Sequence, residues 1–351
     1  MARMHITTTS VTKKLSLLIL IVAVLYVGRS LLIPVAIAGL LAMLLLPLSQ
    51  WLERWKLPKF IAVLCCLLLI LALVGTLVWI VSWQVSALIQ DIALVRERVS
   101  VTVKEVQAFL FNQFGISSER QNDVLFNEQF SVAGIITQAL GSMTQLLGEI
   151  VLVTAYVFLF LYYRNHLKRF YLQALKPNHR REGYQVLMNI TRVSQQYLLG
   201  LSKMIGCLWI LYGIGFTLIG VKNPIFFAVF CGFCEIIPFI GNITGTSLTL
   251  LVSLVQGAEL SMLLGILFVY GTIQFIQGWI LEPLILGHEV RINPLATVVA
   301  LVIGGMLWGI AGIFLAIPLV AMFKVTCDHI DSLKAVGFLI GMPSGHKTLR
   351  R

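Results

Sequence analysis

Residues 222–257 read KNPIFFAVFCGFCEIIPFIGNITGTSLTLLVSLVQG. After Lys222 this run carries one charge, Glu235, and it is interrupted at Pro224, Pro238 and Gly241. The pattern extends to Lys324, with Glu259, Glu282, Glu289 and Arg291 as the only further formal charges and with breaks at Pro283, Pro294 and Pro318. A water-soluble domain of this size could not hide so much apolar surface in one core. A single-pass anchor has no use for so many interruptions. Backbone broken at membrane depth is tolerated only where protein buries it or water reaches it. Several such breaks beside isolated carboxylates and amides therefore point to a translocation pathway, and the chain reads as a polytopic membrane transporter.

The rest of the chain agrees. Hydrophobic residues make up 58% and charged residues 12% of the 351 positions, and the mean hydropathy is +0.93, outside the soluble range. The net charge of +11 would suit a nucleic-acid binder if it were clustered on one face. Instead Arg3, Lys13 and Lys14 precede the first apolar run, and Arg54, Lys56 and Lys59 follow the second. Arg164, Lys168, Arg169, Lys176, Arg180, Arg181, Arg192 and Lys203 fill one inter-helix segment, and Lys324, Lys334, Lys347, Arg350 and Arg351 close the chain. This is the cytoplasmic bias of a membrane protein, so no nucleic-acid partner is expected. Residues 84–145, richer in Asp and Glu, are expected outside. The six cysteines avoid that segment, so no disulfide framework is implied. Cys231 and Cys234 have redox-like spacing but sit in an apolar run, where small residues at a helix contact explain them better. H-E-x-x-H, G-x-S-x-G and Walker A motifs are missing, and no aspartate lies in a span, so neither an enzyme nor an ATP-driven pump is expected. No cofactor or metal is expected.

Punctuation divides the chain into an N-terminal tail (1–14), three membrane helices (15–83), an extracytoplasmic helical segment (84–145), a membrane helix (146–163), a basic cytoplasmic segment (164–204), a transport core (205–325) and a C-terminal tail (326–351). Pro34 is expected to split 15–48 into two helices. Val85, Leu88, Ile92, Val95, Val99, Val103, Val106 and Leu110 form a near-heptad stripe that continues the third span outward, against another part of this chain or a neighbouring subunit. In the core, one good span (259–281) lies between two short hairpins. The first pairs 224–239 with 243–257. The second pairs 296–308 with 312–325 and turns near Gly304-Gly305 or at Trp308–Gly312. The arms fall short of the roughly 20 residues of a comfortable span, so they are re-entrant loops or full crossings of a thin bundle. The fold class is all-α, a polytopic integral membrane protein of about eight helical membrane segments with a helical excursion.

Glu235 is the leading functional candidate. A carboxylate at membrane depth costs roughly 2.5 kcal/mol or more and is usually kept for a pathway or a partner. It would bind a cation or take up a proton; alternatively it closes a helix–helix hydrogen bond. Asn242, Thr244, Thr246 and Ser247 follow the Pro238–Gly241 break, either as a hydrogen-bonding lining or as partners of freed backbone. Gln274 and Gln277 would line the same path or bond between helices. Glu282 and Pro283, then His288, Glu289, Arg291, Asn293 and Pro294, form a polar link, read as a gate in which Glu289 and Arg291 pair or as a solvated loop.

These residues resemble a known family. Glu235-Ile-Ile-Pro-Phe-Ile-Gly241 is similar to the "IPyiG" break of the autoinducer-2 exporter family of PerM-like permeases. The resemblance continues in Gln274-Phe-Ile-Gln-Gly-Trp-Ile-Leu-Glu-Pro283, Ile285-Leu-Gly287, Asn293-Pro294, Gly304-Gly305 and Gly309-Ile-Ala-Gly-Ile-Phe-Leu-Ala-Ile-Pro318. It implies an inner-membrane permease of about eight spans that forms a homo-oligomer. Members are associated with autoinducer-2 export in quorum sensing, others with sodium/proton antiport. Asn242 stands where the family's break usually continues with proline, and Asn293 where a histidine commonly precedes the second proline. The combined expectation is a secondary transporter exporting a small polar solute, with autoinducer-2 as the family-implied candidate and H+ or Na+ as coupling ion. The alternatives are a Na+(Li+)/H+ antiporter and a non-transporting membrane scaffold.

Overall fold

The computed structural model describes residues 8–90, 148–237, 240–286 and 292–342. Every regular element in them is helical, and one isolated antiparallel bridge joins Ile292 to Gly341. Five of the described helices are long and apolar enough to cross a membrane, or six if the bent pair Gly148–Tyr162 and Arg164–Ala174 counts as one span. The chain is thus an all-α, multi-pass membrane protein. The eight segments expected from the sequence are not reached among the described residues, because the arms Leu15–Val27 and Pro224–Cys234 are too short to count. The stripe beyond Gln90 and the rest of the external excursion lie outside the described residues.

The chain forms two compact units. The first comprises Met1–Leu67, Leu152–Gly200 and Leu286–Arg351. Its helices are α1 (Thr8–Val27), α2 (Arg29–Arg54), the start of α3 (Lys59–Gln90), all but the first turn of α4 (Gly148–Tyr162), α5 (Arg164–Ala174), the first half of α6 (Arg180–Leu218), and the C-terminal helices described below. The first joint falls at Gly28, not at Pro34. Gly28 has ψ 6°, while α2 runs straight through Pro34 and Pro47. Proline costs a helix one backbone bond, and here the buried Pro34 ring is held by packing that offsets the loss. Small residues let the backbones approach: Ala38 and Ala62 are fully buried, and Gly39 faces the Phe160 ring. At the end of α2, the Arg164 guanidinium bridges Glu53 and Ser49, and Lys59 donates to the Tyr162 carbonyl.

The second sequence-predicted hairpin belongs to this unit. Helix α10 (Pro294–His329) is two arms folded at Gly309, whose φ of 59° and ψ of −138° are open to glycine and strained for other residues. Of the two turns the sequence allowed, the chain uses the one at Trp308–Gly312. Gly304 and Gly312 then meet so closely that a Cβ on Gly312 would stand 1.9 Å from the Gly304 carbonyl oxygen. The Trp308 indole at the tip donates to the Leu25 carbonyl at 2.9 Å. Helix α11 (Lys334–Ile340) ends the described chain.

The second unit comprises Leu68–Val151 and Leu201–Ile285. It holds the rest of α3 and α6, then α7 (Pro224–Cys234), α8 (Ile240–Val255) and α9 (Leu260–Ile276). Pro224 opens α7 at a position where its missing N–H costs nothing. At about 1.5 Å per residue α7 spans roughly 16 Å and α8 roughly 24 Å, short of the roughly 30 Å hydrocarbon core. The two pack along each other as the expected first hairpin. Helix α9 continues as a π-helix, Gln277–Leu286, so Glu282 and Pro283 belong to the helix and not to the link the sequence suggested. The wider turn suits Pro283, which has no N–H to close an α-type bond to Trp279.

Candidate functional site

The second unit buries a polar chain in an apolar wall. Glu235 continues the last turn of α7, its N–H bonded to the Cys231 carbonyl, and its residue surface is only 9% exposed. Gln277, on the first π-turn after α9, donates from Nε2 to Glu235 Oε1 at 2.6 Å. Gln274 donates to Gln277 Oε1 at 3.4 Å, and Asn242 of α8 donates to Gln274 Oε1 at 3.0 Å. Three side-chain amides thus run head to tail toward one carboxylate, each polarised by the next. Two acceptor oxygens of this group are left over, on side chains that lie beside each other. Glu235 Oε2 and Asn242 Oδ1 are both buried and both without a hydrogen-bond partner among the described residues. Buried polar atoms are nearly always satisfied, so a pair of orphaned acceptors marks a place where something else donates. Among the described residues no Lys, Arg or His forms an ion pair with Glu235.

The hinge that makes this possible is set by sequence. A Cβ at Gly241 would lie 1.7 Å from the Cys234 carbonyl oxygen, so only glycine lets α8 start against the end of α7. Asn242 is then aimed at α9. Gln274 and Gln277, three apart, share the facing side of that helix.

Of the sequence candidates, Glu235, Asn242, Gln274 and Gln277 are therefore brought together. Thr246 is buried on the same face of α8 as Asn242, with its hydroxyl unpartnered. Thr244 and Ser247 are exposed. Glu282 and Pro283 sit on the exposed side of the π-helix. Pro238, His288, Glu289 and Arg291 lie outside the described residues. Asn293 and Pro294 are in place, but as a helix start. Asn293 Oδ1 accepts from the Ala296 N–H at 2.7 Å, and Pro294 occupies the first helical turn. The Asn293 amide also donates to the carbonyls of Leu339 and Gly341, tethering the end of α11. Asn293→Ala is expected to cost about 1 kcal/mol as a lost cap and to free that end. Faster amide exchange over 337–342, with the core unchanged, is the readout; unchanged exchange would show the tether to be dispensable.

Two residues escaped the sequence reading. Ser253 follows Thr246 by two helical turns and is buried with a free hydroxyl; that spacing was a usable signal. Tyr212 of α6, 1% exposed with an unpartnered hydroxyl, had no signal in the sequence at all. Among the described residues no group of three or more His, Cys, Asp or Glu is placed to hold a metal ion. Cys231 and Cys234 are both free thiols, and Cys231 lies against the Thr249 hydroxyl at 3.6 Å.

Known proteins with this sequence pattern bear on the reading. The family model described as "AI-2E family transporter" matches residues 15–332. A "Putative transport protein" of Borreliella burgdorferi is 26% identical over 313 residues, covering 88% of this chain and 84% of the relative. "Putative transport protein YrrI" of Bacillus subtilis is 24% identical over 86% of this chain and 87% of its own. "Putative permease PerM" of Escherichia coli is 27% identical over 88% and 91%.

Proposed function

The chain belongs to the AI-2E transporter family, and on that footing we propose that it is a secondary transporter whose solute path runs past Glu235. The observation that supports this most is the relay of Glu235, Gln277, Gln274 and Asn242. Its two orphaned acceptors suit a small polar solute that donates hydrogen bonds, and its lack of a paired cation disfavours an anion. Autoinducer-2 is the first such solute to test. A proton or Na+ taken up on Glu235 occupies the oxygen that would otherwise accept from the solute. The two are then mutually exclusive, which is the linkage an exchanger needs. Pro238, Thr246 and the 274–283 turn would flank the path. The charge bias supports placing both termini in the cytoplasm at a bacterial inner membrane, and a homo-oligomer follows from the family resemblance.

A Na+(Li+)/H+ antiporter is the second reading. The open atoms Glu235 Oε2, Asn242 Oδ1 and Thr246 Oγ1 are all oxygens, the donor type of a hard cation. A scaffold would leave Glu235 dispensable and need the 90–135 excursion. Autoinducer-2 efflux from proteoliposomes, against empty vesicles, tests the first reading. Protein-dependent efflux is expected. Folded protein without efflux, but with Na+- or Li+-dependent collapse of an imposed pH gradient, would overturn it in favour of antiport.

A further inference from the structure

Helix α5 leaves the end of α4 at 68°, directly after Tyr163. Membrane helices tilt by about 20° on average, so a helix departing at this angle runs closer to the membrane plane than to its normal. Tyr163, Leu167 and Phe170 recur at steps of four and three, on one face, and all three are exposed, Phe170 by 69%. An 11-residue helix is marginal alone, and a bare apolar stripe on it needs a cover.

The charges beside the stripe indicate which cover. Arg169, Lys176, Arg180 and Arg181 are exposed, and none has an acidic partner among the described residues. Glu182, the one acid of residues 164–203, is engaged by His179 Nδ1 at 3.1 Å. Arg164 is committed to Glu53 and Ser49, and Lys168 sits over the Tyr184 ring. Four cations at one corner repel one another unless an anionic surface lies against them.

We propose that the corner from α5 to the first turn of α6 is a docking surface for anionic phospholipid, with Tyr163, Leu167 and Phe170 at the acyl boundary and Arg169, Lys176, Arg180 and Arg181 on the headgroup phosphates. Such a surface sets the depth of the α4–α5 elbow and makes the transporter sensitive to the anionic content of its leaflet. It does not depend on which solute passes Glu235.

The test uses full-length protein in nanodiscs of phosphatidylcholine with a minor fraction of phosphatidylglycerol, and native mass spectrometry counts the lipid retained. Wild type is expected to retain phosphatidylglycerol preferentially, and the preference to weaken as salt is raised. The combined variant Arg169→Gln, Lys176→Gln, Arg180→Gln and Arg181→Gln is expected to reduce the preference about tenfold or more, each cation near such a surface being worth about fivefold. Its melting temperature in pure phosphatidylcholine should match wild type, which reports the fold separately. A wild-type protein with no preference, or with a salt-independent one, overturns the proposal without reference to any variant. Equal retention by the folded variant overturns it too.

Discussion

Glu235→Gln is expected to fold normally and to lose coupled transport. Glutamine at this position still offers Oε1 to the Gln277 amide, so the contact that closes the relay survives. Removing a buried, unpaired charge does not by itself destabilise a fold. What disappears is the charged acceptor at Oε2 and, with it, the proposed ion-binding group. A hydrogen bond to a charged group is worth about 1.5–3 kcal/mol, or roughly 10- to 150-fold in solute affinity. Transport driven by a pH gradient should fall by at least about the lower figure, and the remaining flux should lose its pH dependence. Normal transport with an unchanged pH profile would remove Glu235 from the mechanism. Glu235→Ala is the harsher change, because it leaves the Gln277 amide buried without its acceptor.

Gly241→Ala is expected to break the hairpin. The added Cβ would stand 1.7 Å from the Cys234 carbonyl oxygen, 2.2 Å from its carbon and 2.9 Å from the Glu235 nitrogen. All three are backbone atoms and no rotamer can clear them, so α7 and α8 must separate. The cost is expected to reach about 3 kcal/mol or more, read as a lowered melting temperature in detergent. Because Glu235 and Asn242 flank the joint, separation also pulls both ends of the relay from α9, and solute binding should fall with stability. Gly278→Ala is the control: a Cβ there meets nothing within 4 Å, and its melting temperature should stay near wild type. Equal melting of the two variants would mean that the hinge is looser than its geometry implies.

Much of this architecture was legible in the chain because glycine and proline punctuate it where the backbone turns. The sequence marked a break before Gly241 and offered Gly304-Gly305 or Trp308–Gly312 for the second hairpin, and the chain folds at the latter. Pro34 misled, since a proline inside a helix loses one bond and can be carried by packing, whereas the true joint at Gly28 has only a glycine to announce it. The extent of α9 was misjudged for a related reason. Glu282-Pro283 looks like the start of a link, but a π-turn absorbs the proline and keeps the residues helical.

The candidate site divides along a physical line. Residue chemistry and hydropathy were sufficient to say that the chain spans a membrane, that few formal charges fall between Lys222 and Lys324, and that Glu235 is costly there. These properties depend on local composition and on the price of charge in hydrocarbon, which one dimension records. Nothing local could say that Gln277, 42 positions on, would meet Glu235, or that Asn242 would reach Gln274 while Thr244 and Ser247 turned away. Nor could it add Tyr212 to the buried hydroxyls. Those outcomes depend on which face of α8 packs on α7 and where α9 passes them. That is settled by backbone approach at Gly241, and it exists only once the helices are side by side.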